Sequence, residues 1–259
     1  MIEKYIQKYK QYQFLFEELV KRDFKKRYVR SWLGVLWSIL SPLCQLLVMR
    51  LVFTRFFGRT TPHYTIYLFS GTIIFSFFSE ATQGGMTSLA DNASIFTKIN
   101  VPKYLFLFAK NTQSLLNFLL ILLVYFFFCI IDGVTFTWKM LALIFPIVCL
   151  LVFNLGVGLV LSALYVFLKD TKYLYSIVIQ MLHYFSAIFY NVNSFPPQTQ
   201  KLFLLNPVYL YIRYFRMVVL EAQIPTPSYH LLMLGEAVLI FFFGIFIYKK
   251  YNLRFMFYV

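Results

Sequence analysis

Long apolar runs, each able to cross a bilayer, recur along this chain and are separated by short polar or basic segments. About 20 apolar residues in a helix span a hydrocarbon core of about 30 Å. Such runs lie at about 33–54, 65–88, 105–131, 140–168, 173–192 and 229–248. The fourth run is long enough to tilt or to extend beyond the bilayer. The pattern predicts an all-α integral membrane protein with six transmembrane helices.

The N-terminal segment, residues 1–30, has a different period. Its apolar residues recur at spacings of three and four, and lysines fall between them, which predicts an amphipathic helix lying along the membrane interface. An ordinary soluble helix fits less well with the apolar runs that follow. The apolar positions are Ile2, Tyr5, Ile6, Tyr9, Tyr12, Phe16, Leu19, Val20 and Phe24.

Residues 193–225 are too apolar for an ordinary loop, although no part of them is long enough to span. Proline at 196, 197 and 207 breaks any helix there, because proline lacks an amide donor and restricts the preceding residue. Arg213 and Arg216 interrupt the apolar run after Pro207. We therefore predict a re-entrant pair of half-helices inside a single membrane domain that covers residues 31–259.

Composition agrees with a membrane protein, since 60% of the residues are hydrophobic and only 13% are charged. Soluble domains carry about 25% charged residues. The net charge of +14 does not indicate a nucleic-acid partner, because the cations lie between apolar runs and suit anionic lipid surfaces. Most of the 24 cations fall on one side if both termini are cytoplasmic, so the positive-inside rule predicts an N-in, C-in topology.

The chain has no motif for nucleotide hydrolysis or catalysis. It contains no GxxxxGK[ST], no HExxH and no DxD, and His63, His183 and His230 lie far apart in the sequence. We therefore expect a transport subunit with no catalytic residues, no metal and no cofactor of its own.

The charged residues that lie inside the predicted spans include Arg50, Glu80 and Glu236. Charge in a bilayer is costly, which makes these residues candidates for a polar passage. The two carboxylates are expected near the outer ends of their spans or somewhat deeper. Snorkelling or a structural pair between helices remains an equally good explanation for them. Arg50 could face a conduit or pair with one of the carboxylates.

The stretch RDFKKRYVRSWLGVLWSILSPL places a basic cluster directly before the first span. Cations in the headgroup layer with Trp32 and Trp37 at the boundary predict a membrane-entry anchor. The loop between the second and third spans, DNASIFTKINVPKY, offers the capping residues Asp91, Asn92 and Ser94 and a stop at Pro102. It predicts a short cytoplasmic helix that docks on a soluble partner, with a plain connector as the alternative.

Four stretches in this order and spacing resemble the permease subunit of ABC-2-type exporters, in the branch that moves O-antigen, teichoic acid or capsular polysaccharide. They are RDFKKRYVRSWLGVLWSILSPL, IFTKINVPKYLF, FLKDTKYLYSIVIQ and FYNVNSFP with LNPVYLYIRYF. Each stretch is a loose pattern, but their order and spacing together are specific, and the resemblance covers essentially the whole chain.

The resemblance implies a homodimer that works with two copies of a separate ABC ATPase, which binds ATP and Mg. It also implies an aromatic-lined passage for a lipid-linked glycan, typically carried on undecaprenyl diphosphate. The N-terminal segment and the first inside loop would contact the ATPase, and the proline-broken segment would shape the exit. The loop residues are Phe96, Lys98, Pro102 and Lys103, and the exit residues are Asn206, Pro207, Arg213 and Arg216.

A diphosphate headgroup requires cations at headgroup depth, and arginine matches phosphate oxygens with a forked set of donors. The candidates are Arg27 and Arg30, with Lys25 and Lys26 in support. Plain membrane anchoring stays open as the alternative for each of these cations.

Other functions are kept open at this point. An ABC-2 permease for a small drug or lipid is the nearest alternative, and a membrane-embedded glycan transferase would need convergent acids or a metal motif. A stand-alone channel would leave the two cytoplasmic docking elements unexplained. A neighbouring coding sequence for an ATPase and glycan-synthesis enzymes would separate these possibilities.

Overall fold

The computed structural model describes residues 2–28, 34–52, 62–99 and 101–258, and within them the chain is helical with no strand. Two short 3-10 helices, Trp138–Leu143 and Val192–Ser194, accompany the α-helices. The α-helices are α1 (Ile2–Tyr28), α2 (Gly34–Leu51), α3 (Tyr64–Asp91), α4 (Ala93–Phe96), α5 (Tyr104–Ile131), α6 (Ile144–Phe167), α7 (Thr171–Phe185), α8 (Pro197–Phe203), α9 (Pro207–Val219), α10 (Pro227–Tyr251) and α11 (Phe255–Tyr258).

Three helical stretches of the described chain are long and apolar enough to cross a membrane: Tyr104–Ile131, Trp138–Phe167 and Pro227–Tyr251. A fourth is added if α8 and α9, which meet at a 107° bend, count as one span. The bend confirms the predicted break in this segment. Of the remaining predicted spans, α3 is diluted by small and hydroxyl residues, and α7 has only 15 residues.

The helix α3 lies at the centre of the bundle, in contact with α2, α5, α6, α7 and α9. Its large side chains fill the core, and the Phe69 ring packs edge-on to the Tyr125 ring of α5 at a centroid distance of 5.5 Å. Its small residues let neighbours approach closely. A Cβ on Gly85 would lie 3.1 Å from the Cα of Gly158 in α6. The composition of α3 therefore favours close packing with neighbouring helices over high apolarity.

The amphipathic helix predicted for the N-terminus is present as α1, which packs along α5. Leu19, on the predicted apolar stripe, is only 3% exposed, whereas Glu17 and Glu18 are exposed. The three-and-four spacing thus identified the face that meets the bundle.

The prediction of a fifth helical span to residue 192 is wrong, because α7 ends at Phe185. Ala187 adopts a left-handed backbone conformation with a φ of 51°, which no α-helix accommodates. The carbonyl groups of Ala187 and Ile188 are thereby released from helical hydrogen bonds.

A buried arginine from α9 binds these released carbonyl groups. Arg216, which is 2% exposed, donates from Nη1 to the Ala187 oxygen at 2.8 Å and from Nη2 to the Ile188 oxygen at 3.0 Å. Nη2 also donates to the Tyr67 oxygen in α3 at 3.1 Å, and the guanidinium carbon lies 3.4 Å from the centre of the Tyr67 ring. The Arg216 side chain thus joins α9 to α3 and to the segment after α7. We call this arrangement the Arg216 clamp.

The clamp also explains a glycine. A Cβ on Gly71 would lie 2.9 Å from Arg216 Nη2 and 3.3 Å from the Ile188 Cα. Only glycine leaves room at this point of α3 for both the guanidinium and the neighbouring backbone.

Among the described helices, α6 and α10 approach each other most closely at a pair of glycines. A Cβ on Gly244 would lie 2.5 Å from the Gly156 oxygen, and one on Gly156 would lie 2.6 Å from the Phe241 amide nitrogen. The helices can pack at this distance because both positions lack a side chain.

We predict that Gly244→Ala destabilises the protein by about 1–3 kcal/mol, because the added methyl group must push the α6 backbone away. Thermal unfolding of the purified chain in detergent measures the effect. Gly235→Ala, in the same helix, is the matched control, since a Cβ there meets no atom within 4 Å. Equal melting temperatures for the two variants would contradict this account of the α6–α10 contact.

We predict that Arg216→Lys destabilises the protein by about 3 kcal/mol, because a lysine keeps the charge but cannot reach three carbonyl groups in two directions. Arg213→Lys is the control, since Arg213 Nη1 makes an exposed pair with Glu221 Oε1 at 2.6 Å. Thermal melts report the difference, and limited proteolysis between α7 and α9 localises it. An Arg216→Lys variant as stable as the control would refute the clamp.

Candidate functional site

A polar groove of about 520 Å³ opens on one side of the central helix. The α3 side chains that line it recur at spacings of three and four, so they share one helical face. With α2 and α7 contributing one residue each, the lining is Gln45, Phe75, Ser76, Ser79, Glu80, Gln83, Gly84 and His183.

The groove combines hydrogen-bonding groups with an aromatic edge. Glu80 accepts a hydrogen bond from Asn117 Nδ2 of α5 at 2.9 Å, and Gln83 Nε2 donates to Ser79 Oγ at 2.7 Å. The His183 ring packs against Phe75 at a centroid distance of 4.8 Å. Hydroxyl, amide, carboxylate and imidazole groups beside a ring suit a hydroxylated solute that slides past apolar faces.

The groove has no metal-binding arrangement. Within the described residues, no group of three His, Cys, Asp or Glu side chains is close enough to hold an ion.

Glu80 and Glu236, two of the three charged candidates predicted inside spans, do not meet in this groove. Glu80 lines it and lies past the middle of α3, nearer Asp91 than Tyr64. Glu236 lies on α10, is not among the lining residues, and keeps one carboxylate oxygen buried without a hydrogen-bond partner in the described part of the chain. The Arg50 side chain lies outside the described residues.

A second polar constellation joins α1 to the bundle. Asp23, only 5% exposed, accepts from Arg22 Nη2 at 2.8 Å through Oδ1, and its Oδ2 lies 3.1 Å from Lys110 Nζ of α5. Arg22 Nη2 also donates to Asn92 Oδ1 at 2.8 Å, and Asn92 Nδ2 donates to the Ser88 oxygen. These residues, Arg22, Asp23, Asn92 and Lys110, form what we call the Asp23 cluster.

The Asp23 cluster corrects one expectation about the loop after α3. Asn92 was predicted to cap a helix, but its side chain makes no capping hydrogen bond to α4. The side chain instead holds α1 and the end of α3, and α4 is a single turn of four residues. Long-range contacts have overridden the local capping preference.

The predicted docking residues of this loop separate into exposed and packed positions. Lys98 is exposed, and Pro102 is half-buried. Phe96 is buried and packs against Phe106 at 6.0 Å. Lys103 Nζ donates to the Asn252 oxygen at 2.7 Å. Burial lowers the pKa of the Lys103 ammonium below its ordinary value. Phe96 and Lys103 therefore fasten the loop to the C-terminal end of the chain.

The predicted exit residues lie at the α8–α9 bend. Asn206 caps α9 by accepting from the Val208 amide at 3.0 Å, and its Nδ2 donates to Ser186 Oγ at 3.1 Å. Pro207 opens α9, where its missing amide costs nothing. Arg213 pairs with Glu221, and Arg216 forms the clamp.

Of the predicted headgroup cations, Lys25 and Lys26 are exposed at the end of α1. The Arg27 side chain and all of Arg30 lie outside the described residues. The structure thus places two of the four on the surface beside the bundle.

Sequence reasoning missed Asp23, Lys110 and the groove residues Gln83 and His183. Asp23 had a visible signal, because it is a single acid inside the basic stretch before the first span. Lys110 also gave a signal, because a charged residue inside a predicted span indicates that a partner lies nearby. Gln83 and His183 gave no such signal in the sequence, because their placement in one groove depends on how α7 crosses α3.

Comparison with known proteins places the chain among membrane transporters. A family model described as ABC-2 type transporter matches residues 15–220. The O-antigen export system permease protein RfbA of Myxococcus xanthus is 26% identical over 219 residues, which cover 83% of this chain and 84% of the relative.

Two further relatives extend the likeness. RfbA of Klebsiella pneumoniae is 25% identical over 251 residues, covering 93% of this chain and 95% of the relative. The polysialic acid transport protein KpsM of Escherichia coli is 25% identical over 214 residues, covering 80% and 82%. Since the family model matches most of the chain, this multi-pass membrane protein belongs to the ABC-2 type transporter family.

Proposed function

We propose that this chain is the membrane permease subunit of an ATP-driven exporter that moves a cell-surface polysaccharide out across the bacterial cytoplasmic membrane. The observation that carries the proposal is the polar face of α3, which borders a groove within an otherwise apolar bundle. Relatives named as O-antigen and polysialic acid transporters support the same substrate class.

In the topology that we propose, α2, α3, α5, α6, α7 and α10 are the six spans, and both termini are cytoplasmic. The bounds of these helices support it, because they match the predicted apolar runs closely except at the end of α7. The bent α8–α9 pair then enters and leaves on the outer side as re-entrant half-helices. The excess of cations on the inner side follows the positive-inside rule.

We propose that two copies of the chain assemble around the passage. Much of α7 is apolar yet exposed, including Tyr173, Leu174, Ile177 and Tyr184. A second copy would cover this face and close the polar groove, which one chain leaves open. Glycans of large cross-section would then pass between the copies, along the groove residues of each.

The proposed substrate is a glycan attached to a lipid carrier such as undecaprenyl diphosphate, either an O-antigen, a capsular polysaccharide or a teichoic acid. Lys25 and Lys26, with Arg27 and Arg30 after them in sequence, would bind the diphosphate at the inner leaflet. The glycan would follow through the polar groove.

We propose that a separate ABC ATPase, two copies per exporter, binds ATP and Mg and drives the transport. The exposed Lys98 and the segment around α4 would touch it, and the Asp23 cluster would relay its movement. The cluster supports this role because the buried Asp23 carboxylate of α1 pairs with Lys110 of α5, while Arg22, bound to the same carboxylate, donates to Asn92 at the end of α3. A rigid-body shift of this end would reach the central helix directly.

An ABC-2 permease for a small apolar drug or lipid is the second candidate. The polar lining of the groove argues against it, because an apolar solute gains nothing from amide and carboxylate groups. A glycan transferase would need convergent acids, and the acid-bearing groove contains one carboxylate among its described residues.

The decisive experiment reconstitutes the chain with its ATPase in vesicles and follows movement of the lipid-linked glycan. We expect ATP-dependent export, and ATPase turnover that rises when the glycan is added. Sugar transfer by the purified chain without any ATPase would refute the proposed function.

We predict that Gln83→Leu lowers the export rate about tenfold, because a lost amide removes one to two hydrogen bonds to the moving glycan. ATP hydrolysis without substrate should stay unchanged. Thr87→Val, one turn along α3 and outside the groove, is the control and should export normally. If both variants transport like the parent chain, the groove is not the passage.

We predict that Asp23→Asn uncouples the exporter, lowering the amount of glycan moved per ATP hydrolysed about tenfold, since two charge-assisted hydrogen bonds weaken. Measuring transport and hydrolysis in the same vesicles gives this ratio. Glu18→Gln removes an exposed carboxylate of the same helix, which pairs only with Lys21 among the described residues, and serves as the control. An unchanged ratio in Asp23→Asn would exclude the relay.

A further inference from the structure

A second groove, of about 570 Å³, lies between α1 and α5 and is distinct from the polar groove on α3. Its floor includes Val20 and Phe24 of α1 and Leu119, Leu123 and Phe126 of α5. We call it the α1–α5 groove. It shares no lining residue with the polar groove in the part of the chain that the structure describes.

The α1–α5 groove is apolar along its whole length on α5, where every lining residue is a leucine or a phenylalanine. It runs from Leu116 to Phe126, which is about 15 Å of helix at 1.5 Å per residue. Leu123 is 68% exposed inside it. A hollow of this kind inside a bilayer holds hydrocarbon, because water has no polar partner there.

Two lysines stand on the α1 edge of the groove. Lys21 and Lys25 are one helical turn apart, so both ammonium groups lie on the same side of α1, and both are exposed. Lys21 Nζ lies 3.0 Å from Glu18 Oε1, so the carboxylate partly neutralises the charge of Lys21. Lys26, which follows Lys25 in the sequence, adds another exposed cation. The groove therefore has a hydrocarbon floor and a cationic rim.

We propose that the α1–α5 groove binds one anionic phospholipid of the surrounding bilayer, with an acyl chain along α5 and the phosphate between Lys21 and Lys25. Charge complementarity selects the anionic headgroup, and the apolar floor holds the chain. The length of the groove suits a single acyl chain, whereas a polyprenyl carrier chain is several times longer. The site shares Lys25 with the cations proposed to bind the carrier diphosphate, but it does not require that the chain exports a glycan, and the carrier-lipid probe below distinguishes the two ligands.

The bound lipid would pack against α1 beside the Asp23 cluster and support its position. Leu19 and the Asp23–Lys110 pair already hold one side of α1 against the bundle. A lipid in the groove would support the opposite edge of the same helical turns, near Lys21 and Lys25. The position of α1 would then depend on the anionic lipid content of the membrane.

Native mass spectrometry of the full chain, delipidated in mild detergent, tests the proposal. Three probes are titrated: phosphatidylglycerol, phosphatidylcholine with the same acyl chains, and undecaprenyl phosphate. We expect phosphatidylglycerol to bind about fivefold more tightly than phosphatidylcholine, the effect of about one cation near an anionic group.

Two variants separate the headgroup from the chain. Lys25→Ser should remove the preference for phosphatidylglycerol, and Leu123→Trp should weaken both phospholipids by filling the groove with the lysines intact. Matched controls are Lys250→Ser at the end of α10 and Leu239→Trp, whose parent leucine is 72% exposed on α10. Neither control should change lipid binding.

Three results would overturn the proposal. The first is equal affinity for the two phospholipids, and the second is phosphatidylglycerol binding that Leu123→Trp leaves unchanged. The third is tighter binding of undecaprenyl phosphate that Leu123→Trp abolishes, which would assign the groove to the carrier lipid instead.

Discussion

The guanidinium group of Arg216 supplies the hydrogen bonds that the backbone needs where α7 ends. A bilayer offers no water to backbone groups that leave a helix, so each freed carbonyl needs an internal donor. Where α7 stops at Phe185, the carbonyl groups of Ala187 and Ile188 receive hydrogen bonds from Arg216. The cost of burying a cation is offset by three charge-assisted contacts and the Tyr67 ring. The clamp thus fixes α9 against α3 and the segment after α7.

The central helix satisfies a second constraint, since it must be both buried and polar on one face. Phe69 and Phe77 pack against α5, and Phe78 packs against α6. Gly71 and Gly85 admit neighbouring backbones, whereas Ser76, Ser79, Glu80 and Gln83 line the groove. A uniformly apolar helix would pack as well but would leave a hydroxylated solute without partners. The low apolarity of α3 thus fits the glycan passage that we propose along this face.

The two ends of the bundle are organised by different interactions. At one end, Arg216 and the Asn206 cap hold the bend between α8 and α9. At the other end, Asp23 draws α1 onto α5 and the turn after α3, while Lys103 binds the chain near Asn252. The helix α3 connects the two ends, since Tyr67 near its start belongs to the clamp and Asn92 at its end belongs to the Asp23 cluster.

Patterns read along the chain were enough to predict the helical architecture. The apolar runs matched most bounds of the long helices to within a few residues, the three-and-four spacing identified α1 and its buried face, and proline marked the break before α9. These features are local, because period and helix-breaking residues act over a few positions. Tertiary structure decided the premature end of α7, the partner of Asp23, the loss of the Asn92 cap and the placement of Gln83 and His183 in one groove. Each joins segments distant in sequence, whose proximity depends on how helices cross, and no local pattern contains that information.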